Sequence, residues 1–314
     1  MLQYIVRRLL QSLSVLFLSS VFVFFFIRLI PGDTAMVIAG VNATPEQVQA
    51  LRAKFGTDQM LVTQYVRWVA RLAQGDLGTS YVGNRPIGQL ILQRIPATLH
   101  LALGAMLVVI VIGGSFGIFS AVRPLHPFSR FTDLFCALAL ATPTFWLGIL
   151  VIMLFSLRLH WFPASGYVSV MDDPLKAVRL LFLPSITLGI GGAGVLSRFL
   201  KSSISEVIGS QFVRMAQAKG LSEYMVVGRH VLRAALGPVV TIMAIQFGHL
   251  LGGAVITEGI FGWPGVGRLT LDAIGNRDYL IVQGTMFCFV TTFILLNILA
   301  DVICAFLDPR IRYS

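Results

Sequence analysis

Charge is scarce in this chain, and negative charge is scarcest: only 12% of the 314 residues are charged, with 14 Asp and Glu against 24 Lys and Arg. Soluble domains carry about a quarter charged residues, so a chain that is 56% hydrophobic has more apolar surface than one water-facing core can hide. Cysteine is nearly absent too. Cys136, Cys288 and Cys304 are odd in number, fall in or at the end of apolar runs, have no metal-ligand spacing and read as buried hydrophobes. The histidines, His100, His126, His160, His230 and His249, form no His-x-x-x-His pair. A nucleotide-binding lysine is missing as well, because a P-loop places Gly directly before its Lys, whereas the four lysines follow Ala53, Leu175, Leu200 and Ala218. Any ATP this protein depends on is hydrolysed on another chain.

What the sequence has in abundance is long apolar runs. Residues 9–27, 99–122, 134–157, 180–197, 234–257 and 279–300 contain no Asp, Glu, Lys or Arg, and each approaches the roughly 20 residues needed to cross a bilayer. The expected fold is therefore all-α and integral to the membrane, with six transmembrane helices. The first run is long, has no small-residue cleavage site after it, and reads as a retained anchor. Orientation follows from Lys and Arg in short flanking segments. With the N-terminus inside, inner segments hold twelve of them and short outer loops five, Arg158, Lys176, Arg179, Arg268 and Arg277. Both termini are then cytoplasmic. The net charge of +10 is explained by topology and lipid headgroups, and no single basic face supports a nucleic-acid partner.

The expected division is an N-terminal anchor span and outer lid over 1–97, then a five-span core over 98–314. Inside the lid, Thr44-Pro45-Glu46-Gln47 combines an N-cap, a proline at the first helical position and a capping-box residue. Val48, Leu51 and Phe55 then repeat on one face up to Gly56. A second amphipathic stretch, with Leu61, Tyr65, Trp68 and Leu72 on one side, stops at Gly75-Asp76-Leu77-Gly78. The six runs hold no Asp, Glu, Lys or Arg of the kind an ion-coupled carrier buries, which disfavours ion coupling. Glycine clusters at 113–117, 189–194 and 248–253 allow close helix approach. The Gly-x-Ser-x-Gly at 113–117 falls in mid-helix, not at a strand-to-helix elbow, and reads as packing.

Between the fourth and fifth runs lies a basic loop, about 201–238. A helix continuing the fourth span is expected to carry Glu206 to Lys219 and stop at Gly220, with a short second helix capped by Ser222 and favoured by Glu223. Arg229 and Arg233 form a basic pair at i, i+4 before Pro238.

This loop resembles the EAA loop of binding-protein-dependent ABC importers, in the version found in peptide permeases. The matching residues are Ala216, Ala218, Lys219, Gly220, Leu221, Ser222, Arg229, His230, Leu232, Arg233, Ala234 and Pro238. The usual leading acidic residue is absent, and Met215 or Gln217 stands nearby. Further matches to the dipeptide, oligopeptide and nickel permease family are Pro31-Gly32-Asp33, Gly75-Asp76-Leu77-Gly78, Pro96 with Thr98-Leu99, Leu183-Pro184, Phe261 through Arg268, Arg277-Asp278-Tyr279 and Asp308-Pro309-Arg310.

The resemblance implies the transmembrane domain of a type I ABC importer in a bacterial inner membrane, without enzymatic activity or bound cofactor of its own. It implies a second homologous permease, two cytoplasmic ATPases holding ATP and Mg, and an extracytoplasmic substrate-binding protein as partners. The cargo is di- or oligopeptides, with nickel or a metal chelate as the alternative. The coupling set is Ala216, Ala218, Lys219, Gly220, Leu221, Ser222, Glu223, Met225, Arg229, His230 and Arg233, with the coupling helix over about Ser222 to Gly228. The translocation path is expected to involve Pro143, Trp146, Gly248, Gly252, Gly253 and Glu258, with Asp272 and Asp278 near the outer mouth.

Overall fold

The computed structural model describes residues 2–29, 34–40 and 43–307. Pro31-Gly32-Asp33 and the Asp308-Pro309-Arg310 tail lie outside the described residues, as do the side chains of Glu223, Pro238 and Cys304. Among the described residues every regular element is helical, apart from one isolated bridge between Thr79 and Pro86. Among the described residues, five helical stretches are long and apolar enough to span a membrane: Leu10–Arg28, Ile87–Val122, Pro174–Ile208, Val239–Ile260 and Tyr279–Leu299.

The sixth, expected as one run over 134–157, is broken. It consists of α7 (Pro127–Ala141) and α8 (Thr144–Val151), which continues as a π-helical turn (Ile152–Arg158), and the two halves are bent by 107°. Proline disfavours helical dihedrals at the residue before it and donates no hydrogen bond. Accordingly Thr142 is extended at ψ 122° and its N–H closes back on Leu138 O. An unbroken hydrophobic run conceals such a corner because apolarity is indifferent to backbone direction. The second span also departs from expectation, because its helix α5 (Ile87–Val108) begins well before residue 99 and runs through Pro96. A π turn (Val109–Gly113) then joins α5 to α6 (Gly114–Val122).

Contacts divide the described chain into two units, one of Leu99–Trp263 with the rest of the last described helix from Leu296, the other of Leu2–Thr98 with Pro264–Leu295. In the first unit α9 (Pro174–Ile208) is the axis, with 61% of its most apolar window buried. Small residues make this possible. A Cβ on Gly189 would lie 2.6 Å from Ala105 O, one on Gly113 would lie 2.6 Å from Ala193 O, and one on Gly117 would lie 2.8 Å from Ser197 O. The Gly-x-Ser-x-Gly sequence is thus a helix-contact stripe, and Ser115 Oγ donates to Val111 O within its own helix. Lys201 Nζ meets Asp133 Oδ1 at 2.6 Å, tying α9 to α7. Both side chains are partly exposed, so the pair contributes under about 1 kcal/mol. A smaller apolar cluster joins Val151, Leu183 and Phe261.

The second unit contains α1 (Leu2–Arg28), α2 (Thr34–Ala39), α3 (Pro45–Phe55), α4 (Leu61–Ala73) and α13 (Val266–Gly275). Helix α3 opens on a complete capping box, with Thr44 Oγ1 accepting from Gln47 N–H and Gln47 Oε1 accepting from Thr44 N–H. It closes at Gly56, where φ is +70°. Helix α4 turns Tyr65, Trp68 and Leu72 inward, but Leu61 is exposed. Trp68 packs against the rings of Phe24, Tyr65 and Phe287. The Thr98 hydroxyl accepts from Val266 N–H at 2.9 Å and so occupies one of the orphan donors that begin α13.

Asp278, expected near the outer mouth, is buried. Its carboxylate accepts from Ser80 Oγ–H and from the amides of Tyr81 (3.4 Å) and Val82 (3.2 Å). These donors hold the turn between Gly78 and Ile87 against the start of α14 (Tyr279–Leu307). Asp278→Ala is expected to leave buried donors without an acceptor, a loss of about 2–3 kcal/mol. Limited proteolysis should then cut the 79–84 turn faster than in the parent protein, and equal cutting would show that the carboxylate does not hold the turn.

Candidate functional site

The loop after α9 is built from two helical pieces. Helix α9 ends at Ile208, with Gly209 as its cap, and a free-standing helix α10 (Gln211–Ala218) follows. This corrects the expectation of one helix reaching Lys219. Gly209 and Ser210 end the first helix, and Ser210, extended at ψ 154°, starts the second. Val213 and Ala216, three residues apart, are buried, whereas Phe212 and Met215 are 43% and 62% exposed. Helix α10 is therefore held by two small contacts and presents an apolar outer edge.

Its C-terminus is a complete Schellman closure. Gly220 N–H donates to Gln217 O (2.9 Å) and Leu221 N–H donates to Ala216 O (3.4 Å), satisfying carbonyls the helix leaves open. Gly220 sits at φ +80°, and a Cβ there would meet nothing within 4 Å. Glycine is required by the dihedral, not by crowding.

After Ser222, α11 (Glu223–Met225) passes through a π turn (Val226–Val231) directly into α12 (Leu232–Ile260). The separate short helix expected over Ser222 to Gly228 is thus the opening of a long one. Gly228 does not stop it, since an exposed mid-helix glycine costs only about 1 kcal/mol. Val226 and Val231 anchor this opening, while Tyr224, 90% exposed, and Met225 face outward. Ala218, Lys219, Ser222, Arg229 and Arg233 are exposed, whereas Leu221 and His230 are half-buried. The sequence-matched residues form one bent ridge with apolar tips and a cationic flank.

A second feature lies in the same unit. At the corner of the broken span is a cavity of about 250 Å³ between α7–α8, α9 and α12. Its polar lining is Thr142, Thr144, Thr187, Gln246 and His249. Gln246 Nε2 donates to Gly192 O at 3.2 Å, and the buried Thr187 Oγ1 has no hydrogen-bond partner. Of the residues expected on the path, Gly253 lines this cavity and Pro143 makes its corner. Trp146 and Gly252 are exposed, and Gly248 is buried. Glu258 is fully buried. Asp272 is exposed beside Arg268, at 4.0 Å. Gln246 and His249 stand three apart in an apolar run. That polar pair was the available signal for the cavity, and its meaning became visible only once the facing corner was known.

The model of the family described as "Binding-protein-dependent transport system inner membrane component" matches residues 113–313, and that of its N-terminal companion matches residues 1–102. A peptide transport system permease protein of Brucella abortus (strain 2308) is 39% identical over 310 residues, 99% of each chain. The glutathione transport system permease protein GsiC of Escherichia coli (strain K12) is 39% identical over 314 residues, the whole of both chains. The inward-facing MetNI methionine ABC transporter has a chain that superposes with a TM-score of 0.55 at 17% identity, over 70% of this chain and 97% of that one. At that identity the likeness shows the fold alone.

Proposed function

This chain belongs to the family of binding-protein-dependent transport system inner membrane components, an ABC importer permease subunit and not itself an enzyme, and on that premise we propose that it carries di- and oligopeptides across the inner membrane. The glutathione and peptide permeases at 39% identity support small peptides as the cargo. A second, homologous permease completes the path. Two cytoplasmic ATPases bind ATP and Mg and supply the work, and an extracytoplasmic protein delivers the peptide. Both termini face the cytoplasm.

The observation that carries this reading is the bent ridge at Gly220, which projects Phe212, Met215, Tyr224 and Met225 outward from a chain whose lysines fit no P-loop. Helix α10 and the start of α11 dock in the ATPases, Phe212, Met215, Tyr224 and Met225 supplying apolar contact and Arg229 with Arg233 supplying charge. Closure of the ATPases pushes α10, and the push reaches α9 and α12 because Gly209 and the π turn at Val226–Val231 connect the ridge to both. The cavity between these helices, with Thr187 and Gln246 as its polar groups, is where the peptide backbone passes. Amide-rich cargo suits such a lining, since an unpaired hydroxyl accepts or donates a hydrogen bond without a charge to desolvate.

Whole-cell uptake with the gene for this chain deleted and restored tests the reading. Loss and recovery of labelled di- and tripeptide uptake, with nickel uptake unchanged, is the expected result. Loss of nickel or nickel-chelate uptake alone would overturn the peptide assignment, and uptake that persists without the ATPases would overturn ATP-driven import.

A further inference from the structure

The second unit holds a cavity of about 500 Å³ whose lining, among the described residues, includes Arg28, Lys54, Arg67 and Arg71 and no Asp or Glu. Arg67 and Arg71 stand at i, i+4 on α4, and like charges at that spacing repel. Arg67 and Arg71 are at the exposed rim of the cavity, while Arg28 and Gln283 are toward its buried side.

The buried side is short of acceptors. Arg28 donates to Gln64 Oε1 through Nε (3.2 Å) and Nη2 (3.1 Å), and to Phe24 O (3.1 Å) and Gln283 Oε1 (3.2 Å) through Nη1. Every one of these acceptors is neutral, and the guanidinium also lies 3.5 Å over the Phe24 ring. Gln283 is 1% exposed, and its Nε2 amide has no hydrogen-bond partner. A buried amide donor left unpaired carries its desolvation penalty uncompensated. Tyr81 adds a phenol to the same wall. Burial is the main cause holding its pKa above the ordinary range, with Arg28 and Arg71 pulling against it and Asp278 adding to it. It remains a neutral donor at physiological pH.

We propose that this cavity is a binding site for a small carboxylate-bearing molecule, with the carboxylate against Arg67 and Arg71 and a further acceptor of the same molecule on Gln283 Nε2. A planar carboxylate matches the fork of a guanidinium, and an anion at this rim relieves the repulsion between Arg67 and Arg71. The volume falls within the range of small-molecule sites, large enough for a short peptide and far larger than a single ion requires. The identity of the carboxylate carrier as a peptide rests on the import reading above; the site itself does not.

The full chain in phosphatidylcholine nanodiscs, titrated with fluorescently labelled trialanine carrying a free C-terminus, provides the test. C-terminal amidation of the probe is expected to weaken binding at least tenfold, as is the Arg67→Gln/Arg71→Gln double variant, with Arg67→Lys/Arg71→Lys in between. Equal binding of acid and amide, no binding of the acid, or unchanged affinity in the double variant would each overturn the site. Probe displacement by phosphatidylglycerol, with no effect of amidation, would also overturn it and assign the pocket to a lipid headgroup. Carboxylate binding in a chain that does not restore peptide uptake would sink the import reading and leave this site standing.

Discussion

With Gly220 replaced by valine, peptide uptake by the assembled importer falls to background while the chain still inserts into the membrane at the parental level. The cause is narrow. Valine at φ +80° is a backbone outlier, and left-handed dihedrals cost an L-residue about 1–2 kcal/mol. That is too little to unfold a bundle of long helices, but enough to open the Schellman closure at Gln217 and Ala216 and swing α10 away from its two buried contacts. Because no atom lies within 4 Å of a Cβ there, the effect tracks dihedral preference and not size. Gly220→Asn, a residue enriched in this region, should therefore retain most of the uptake. Uptake by the valine variant at the parental rate would remove α10 from the coupling path. Equal loss in both variants would point to a side-chain clash with the ATPase.

Gly189→Val acts on the core itself. Its Cβ would sit 2.6 Å from Ala105 O and 2.9 Å from Val108 Cβ, distances that real side chains essentially never show. Backbone carbonyls in a helix cannot yield as a flexible side chain would, so α9 must separate from α5 along the contact that Gly113 and Gly117 continue. In a bilayer, where lipid is as apolar as the helices, association depends on close packing and not on burial from water, and lost contact is not recovered elsewhere. Detergent-extracted protein should shift to the void volume in size-exclusion chromatography, and surviving chain should show no uptake. A monodisperse, active variant would mean that α9 and α5 approach less closely than described.

Much of this architecture was legible from residue type alone. Spans announce themselves by the absence of charge, and the capping box at Thr44 to Gln47 announces itself because each residue satisfies a specific donor. Gly56, Gly75 and Gly220 were readable as stops, since positive dihedrals favour glycine. Arg277 was not. It adopts φ 53° at the end of α13, and its amide and that of Asp278 close on Ile274 O and Ala273 O, the geometry a glycine normally serves. The corner at Thr142-Pro143 was hidden for a different reason: hydropathy reports what solvates a segment and says nothing about its direction. Likewise the start of α5 at Ile87 was missed because Arg94 and Pro96 interrupt the pattern without interrupting the helix. In the candidate site, the loop chemistry could be read in advance but the division of labour within it could not. The glycine separating two helices was evident, whereas which of them stands free depends on Gly209 ending α9 and on a π turn that no periodicity encodes.

Three π turns among the described residues, at Val109–Gly113, Ile152–Arg158 and Val226–Val231, also bear on how such chains diverge. A π turn holds one residue more than the α-helix it interrupts, and one residue elsewhere in a helix rotates everything downstream by about 100°. At Val109–Gly113 and Val226–Val231, where helix continues on both sides, a residue has room to be lost or gained while the flanking faces keep their bearing. Over generations such turns are joints at which a lineage of permeases can change length without re-aiming its helices.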